Sequence, residues 1–379
     1  MAVLRPAGDF DRSYEQDMGI LRTRWQKILL LVLLFAAFTL PAYSSESVVS
    51  LVNRICIFII AVQGLNLLTG YTGQISLGQA AFMTVGGYTS ALLMSLWGWN
   101  FFVALPVAGL VAGVVGLFFG LPSLRVKGFY LVMATLAAQF IIPWITRNLW
   151  KDVLNGAQGI NVPVPEIVLP VFNGLCLFGT TFDSAAESCV YRFATPNQFI
   201  YITLTVLIIT TITAVNVSRT RFGRALISVR DNDLAAELLG INLFYYKLRA
   251  FFLASVFAGL AGSLLAHNLR HINSETIGLN DSIIMLGMLI VGGMGANVGP
   301  FFGSTFFILL EELAVVLTPM IIGLIESGVL PGDEAGVGAA LRPLIFGFAL
   351  ALFLIFEPRG LAYRWTLIKA SWRLRPFAR

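Results

Sequence analysis

The chain has 379 residues, of which 57% are hydrophobic and only 12% charged, with a formal net charge of +5. A soluble domain carries about 25% charged residues, so this chain lacks the polar surface to cover a water-soluble globule, and its bulk belongs in lipid. Three cysteines and two histidines are too few and too scattered for a metal framework, and the basic residues cluster beside hydrophobic runs, which argues against nucleic acid.

In chain order, ten segments approach the roughly 20 apolar residues that a hydrocarbon core of about 30 Å requires. They are 24–43, 49–69, 75–96, 101–121, 129–146, 198–217, 248–267, 282–298, 300–318 and 341–356. The expected fold is all-α: a polytopic helical membrane bundle of about ten transmembrane segments. An even number of spans puts both termini on one side, and the positive-inside rule chooses that side. One face would carry 19 of the 25 Lys and Arg residues and the other four. The expected layout is a cytoplasmic segment 1–27, a membrane domain 28–356 and a basic cytoplasmic tail 357–379. Within the domain, 218–247 is a cytoplasmic loop and 147–197 an external, periplasmic one.

The leader has a second reading. Its basic start, the apolar run Ile28–Leu40 and Ala42-Tyr43-Ser44 also resemble a secretory signal, although 27 residues before the apolar run is long for one. Cleavage would leave nine spans. The external loop is punctuated by turn signals at Asn155-Gly156, Gln158-Gly159 and Asn173-Gly174. Cys176 and Cys189 lie in it, on the oxidising side, as a disulfide contributing about 3 kcal/mol or as two free thiols. Trp97, Trp99, Trp144 and Trp150 fall near span ends, where aromatic anchors belong.

Between Gly70 and Gly87 the chain has glycines at 70, 73, 78, 86 and 87, with Gln74, Ser76 and Gln79. Glycine lets backbones approach closely, and Gln and Ser must hydrogen-bond inside a bundle. Either tight helix packing or a broken helix lining a polar path uses this composition. In the loop 218–247, Asp231 is placed to cap and Gly240 to stop a helix of about two turns. Leu234, Ala235, Leu238 and Leu239 fall on one side of it, Asp233 and Glu237 on the other. So short a helix is marginal alone, so its apolar side must dock, on a partner or on its own bundle or lipid.

Glu311 and Glu312 sit near the middle of the ninth segment, where ionisable groups are costly and often functional. A basic group on a partner, a substrate ammonium or a hydrogen bond within the bundle would each answer them. His267 and His271 have a zinc-compatible spacing but no third ligand beside them, which leaves an interfacial role. Gly293-Met-Gly295-Ala-Asn-Val-Gly299 has the wrong spacing for a dinucleotide loop and no strand before it.

The run after Gly70, the segment ending Gly240-Ile241, Ile290-Val-Gly-Gly-Met-Gly-Ala296 and Glu-Pro-Arg-Gly at 357–360 resemble, in order and separation, the LivM-type family of branched-chain amino acid ABC transporter permeases. The resemblance covers nearly all of the chain after its leader. It implies the membrane-spanning permease subunit of an ABC importer for branched-chain or other hydrophobic amino acids, in a bacterial inner membrane. It makes the 231–240 helix a cytoplasmic coupling helix, with Asp231, Asp233, Ala235, Ala236, Glu237 and Gly240 as its residues. Leu234 stands where a stricter family pattern has Glu.

Gly73, Gln74, Ser76, Gly78 and Gln79, with Gly292, Gly293 and Gly295, are the expected substrate pathway. The implied partners are a second, LivH-like permease subunit, two cytoplasmic ABC ATPases, a periplasmic binding protein and membrane lipid. No Gly-x-x-x-x-Gly-Lys-Ser/Thr occurs in the sequence, so ATP and Mg are expected on the ATPases, with no cofactor on this chain and no catalysis by it. Urea, short amides or aromatic acids are alternative substrates within the same reading. An ion-coupled secondary transporter would rest on Glu311 and Glu312 alone, and a membrane enzyme would need a catalytic constellation that the sequence lacks.

Overall fold

Apolar runs bounded by Gly, Pro and Asn become helices because a bilayer leaves backbone polar groups no partner except their own turn. The computed structural model describes residues 24–123, 130–149, 151–169, 181–183, 188–326 and 334–374. The chain divides into two compact units, Phe38–Met285 and a second made of Met1–Ala37 with Leu286–Arg379.

Helix α1 (Arg24–Thr39) precedes α2 (Glu46–Leu65), which runs into a π-turn at Asn66–Gly70. Then come α3 (Gln79–Trp97), α4 (Phe101–Ser123), α5 (Tyr130–Trp144) and the single turn α6 (Lys151–Leu154). After the connecting loop, α7 (Pro196–Arg219), α8 (Arg221–Asp231), α9 (Asp233–Leu238) and α10 (Leu243–Leu269) follow. Thr195 and Gln198 form a capping box at the start of α7, with Pro196 at its first position.

The core of the first unit is α10, whose Ala250, Phe251, Ala254, Ala258, Ala261 and Leu264 are buried. α3 and α10 meet backbone to backbone. A Cβ on Gly86 would strike Gly259, and one on Gly262 would strike the main chain of Met83. Small residues at a crossing are how apolar helices gain contact in lipid, where hydrophobic burial contributes little. Phe82 meets Phe251 edge-on at 5.6 Å beside that crossing.

The connecting segment contains strands that the turn signals did not announce. β1 (Ile160–Asn161) pairs antiparallel with β5 (His271–Ile272). β2 (Glu166–Leu169), β3 (Thr181–Asp183) and β4 (Ser188–Arg192) form a sheet in the order β2-β4-β3. Cys176 lies outside the described residues. The backbone of Cys189 pairs with Leu169 and Phe182.

The second unit holds α12 (Gly299–Glu326), α13 (Glu334–Phe356) and α14 (Leu361–Leu374), preceded by the end of α11 (Leu279–Gly292). Among the described residues, seven helices are long and apolar enough to cross a bilayer. Pro343–Phe356 and Leu361–Ser371 pass that test jointly but are bent by 44°, and Ile28–Ala42 and Leu279–Gly292 are shorter apolar helices. All ten expected segments therefore correspond to apolar helices, three of them short or bent. The glycine pair at 292–293 and the Pro-Arg-Gly at 358–360 cut two of these.

Candidate functional site

The first candidate is the break between α2 and α3. Gly73 takes a φ of +72°, and helical structure does not resume until Gln79. Gln79 Nε2 donates to the carbonyl of Ala61 at 2.7 Å, nine residues before Gly70. At 1.5 Å per residue this is roughly 13 Å back along α2, so residues 73–78 climb beside the span without forming a helix. Ser76, Gly78 and Gln79 are buried, Gly73 is exposed and Gln74 lies between. Ser76 Oγ accepts from the Gly78 amide at 3.4 Å. Gln74 Oε1 is buried with no hydrogen-bond partner among the described residues.

A helix that starts inside a bundle exposes amide N–H groups that need acceptors. Here they come from distant helices. The Ala80 amide donates to Ser282 Oγ at 2.9 Å, and the Ala81 amide to Gln139 Oε1 at 2.9 Å. Ser282 in turn donates to Gln139 Oε1 at 3.3 Å, and the Leu77 amide to Thr135 Oγ1 at 3.1 Å. The break is thus held by α5 and α11. Sequence reasoning missed Gln139 and Ser282. The available signal was that Gln139 is the only side-chain amide in Tyr130–Trp144.

The second candidate is the α8–α9 elbow. Asp231 does not cap the short helix: it ends α8 and pairs with Arg230 at 3.1 Å. The cap is Asn232, whose extended backbone (φ −158°) lets its side chain accept from the Ala235 amide at 3.0 Å. Asp233 is not simply on an open polar face either. It pairs with Lys247 of α10 at 2.9 Å, and Ala236 is the residue that α9 buries. Leu234, Leu238 and Leu239 point outward, 63%, 89% and 81% exposed. Ala235 and Glu237 are exposed beside them. Gly240 closes the helix with a φ of +82° and open space where a Cβ would stand.

These two candidates are joined, which the sequence did not reveal. Arg230 Nη1 donates to the carbonyl of Gly70 at 2.8 Å, and a Cβ on Gly73 would lie 3.0 Å from Arg230 Cγ. Gly73 therefore serves two ends, a left-handed turn and room for the arginine stem. Next to it the buried Tyr71 phenol is hydrogen-bonded to Ser218, and burial raises its pKa above the ordinary value.

The glycines of the 292–295 run do something different. A Cβ on Gly292 would strike Gly299, and one on Gly303 would strike the Met288 carbonyl, so these residues bring α11 against α12. Gly293 and Gly295 take φ values of +109° and +76° in the turn between them. His267 is buried rather than interfacial: its Nδ1 lies 2.8 Å from the Ser263 carbonyl and its Nε2 3.0 Å from Met94 Sδ. His271 instead meets Asn161 at 3.2 Å. Phe101, 4.7 Å away, covers His267.

A cavity of about 610 Å³ opens among α3, α4 and α5, walled by residues such as Val85, Leu92, Val111 and Ile142. Among the described residues that line it, the polar side chains are Tyr88, Thr89, Thr146 and the two tryptophans Trp97 and Trp99. Such a lining offers a zwitterion no charge to pair with.

Residues 47–355 match the family described as branched-chain amino acid transport system / permease component. The high-affinity branched-chain amino acid transport system permease protein LivM of Salmonella typhimurium is 30% identical over 295 residues, 76% of this chain and 68% of that protein. The protein of the same name from Escherichia coli is 30% identical over 292 residues, again 76% and 68%. A nucleoside ABC transporter permease protein, NupC of Lactococcus lactis subsp. cremoris, is 28% identical over 144 residues, 38% of this chain and 42% of that one. With its spans, its broken helix and a match from residue 47 to 355, this multi-pass membrane chain belongs to the branched-chain amino acid transport system permease family.

Proposed function

We propose that this chain is the membrane-spanning permease subunit of an ABC importer that moves branched-chain or other hydrophobic amino acids across a bacterial inner membrane. The observation that carries the reading is α9. Three leucines stand in solvent on a helix whose base is fixed, through Asp233 to Lys247 and through the neighbouring Arg230 to Gly70. Exposed apolar side chains on a braced helix are a knob for a partner's groove, not a lipid anchor, which would carry basic residues on its polar side. The partner supported by family membership is a cytoplasmic ATPase that binds ATP and Mg, with a second permease subunit and a periplasmic binding protein completing the complex. The basic face, with both termini and α8–α9, is then cytoplasmic.

Mechanism follows from the joint at Arg230. Closure of the ATPase dimer displaces α9. Because α8 is tied to Gly70, the displacement reaches the start of the 73–78 break, whose freed backbone and Gln74 amide border the pathway. Nucleotide shifts the permease only by binding one conformation more tightly than the other. Gly292, Gly293 and Gly295 have a packing role in this reading.

The test uses the co-expressed complex. Leu238→Asp removes an exposed apolar contact and Glu237→Arg reverses an exposed charge, and neither disturbs burial. Both are expected to leave the chain's own stability unchanged while lowering ATPase recovery and substrate-stimulated hydrolysis. Wild-type behaviour from both would remove α9 from the coupling route.

A further inference from the structure

The span Gly299–Gly323 of α12 carries two carboxylates and no other charged side chain. Glu312 stands one residue past its middle, roughly 20 Å from one end and 16 Å from the other. Glu311 is half-buried and engaged within the chain. Glu312 is exposed, and no described residue offers it a hydrogen bond or ion pair. Leu309, Leu313, Val316 and Met320 are exposed on the same stripe, at offsets of one, two and three helical turns. Pro319 lies on that side too. It has no N–H, so the Val315 carbonyl loses its helical partner there.

Lipid fits the apolar members of this stripe and fails the polar ones. Hydrocarbon supplies no donor to a carboxylate or a freed carbonyl at mid-depth, and side chains of this kind face protein or water in folded membrane proteins. Apolar side chains at helical spacing around one polar group form a helix–helix contact whose polar centre fixes the register. A second copy of this chain is a poor occupant. A twofold contact centred on Glu312 would set one carboxylate against its own counterpart.

We propose that the Leu309–Met320 face of α12 is the contact surface for a different membrane-spanning subunit, and that Glu312 accepts a hydrogen bond or ion pair from a donor side chain at mid-depth on that subunit. The proposal rests on the importer reading only for the existence of such a subunit.

The experiment uses the complete importer in native membranes. A photo-crosslinking benzophenone residue at Val316 is expected to yield an adduct with the second permease subunit. Labelling of lipid alone, or an adduct between two copies of this chain, overturns the proposal. In parallel, Glu312→Lys should lower recovery of the second subunit about tenfold or more, whereas Glu312→Gln, which keeps hydrogen bonding, should lower it less than about threefold. Val316→Trp adds bulk at an exposed position with no charge change and should also release the second subunit, which covers the case of a lysine variant that does not fold. Assembly at wild-type levels in Glu312→Lys and Val316→Trp overturns the proposal, and so does intact assembly with uptake lost, since the carboxylate would then serve the substrate. Absence of ATP-dependent uptake by the wild-type complex would instead count against the importer reading and leave the crosslinking result to stand or fall by itself.

Discussion

Gly360 and Gly293 meet backbone to backbone: a Cβ on Gly360 would lie 2.6 Å from the Cα of Gly293 and 2.7 Å from its nitrogen. Both residues hold positive φ, +77° and +109°. The bend between α13 and α14 therefore rests directly on the turn between α11 and α12, with Ala362 packed beside it. Arg364 pairs with Glu357 across the same bend.

Gly360→Ala should consequently cost more than a left-handed alanine alone. Adding the φ penalty to the loss of the backbone contact gives about 2–4 kcal/mol. Gly240→Ala is the control, since its φ is also positive but no atom lies within 4 Å of the new Cβ, and it should cost about 1 kcal/mol. Thermal unfolding of the purified chain in detergent compares them. Equal losses would mean that the Gly293 contact contributes nothing.

Gln139→Leu should destabilise the chain although it places a larger apolar surface in an apolar span. It strips the Ala81 amide and the Ser282 hydroxyl of their common acceptor, and a buried donor left unpaired costs about 1–3 kcal/mol. Ser282→Ala should cost a similar amount through the Ala80 amide. The double variant should lose less than the sum, because both act on one network. Melting of the three variants in the same detergent checks this.

Arg230→Gln keeps a donor but shortens the reach to Gly70. ATPase recovery should stay near wild type, because the α9 leucines are untouched, while substrate-stimulated hydrolysis falls several-fold. Gly73→Ala should behave alike, since its Cβ would crowd Arg230 Cγ at 3.0 Å and its φ of +72° disfavours a side chain. Normal stimulation in both would place the coupling route elsewhere.

For the orientation of the connecting segment 147–197, Ala157 is the position to label. Gly156 is buried with a φ of +56°, whereas Ala157 is exposed. With Cys176 and Cys189 replaced, Ala157→Cys should react with a membrane-impermeant thiol reagent in intact spheroplasts. Reaction only after permeabilisation would reverse the membrane orientation.

Composition and hydropathy alone determined that the chain is a helical membrane bundle and where its apolar segments run, because partition into lipid depends on side-chain type summed along one helix. Local backbone chemistry was legible at Gly240, read as a helix stop and found at positive φ, and the order of motifs marked the family. Asp231 against Asn232 as the cap was a near miss, since either side chain can cap and only the path of α8 decides which one is free to do so. What no linear reading supplied were the partners that span long stretches of chain. Gln139 and Ser282 reach the amides of α3 across 58 and 202 residues, and Arg230 reaches Gly70 across 160. His267 is buried because Phe101 and Met94 close over it. The two candidate regions are one connected device because the fold, and not the sequence, sets a guanidinium beside a carbonyl. A hydrogen bond depends on atoms within about 3 Å in space, whatever their separation along the chain.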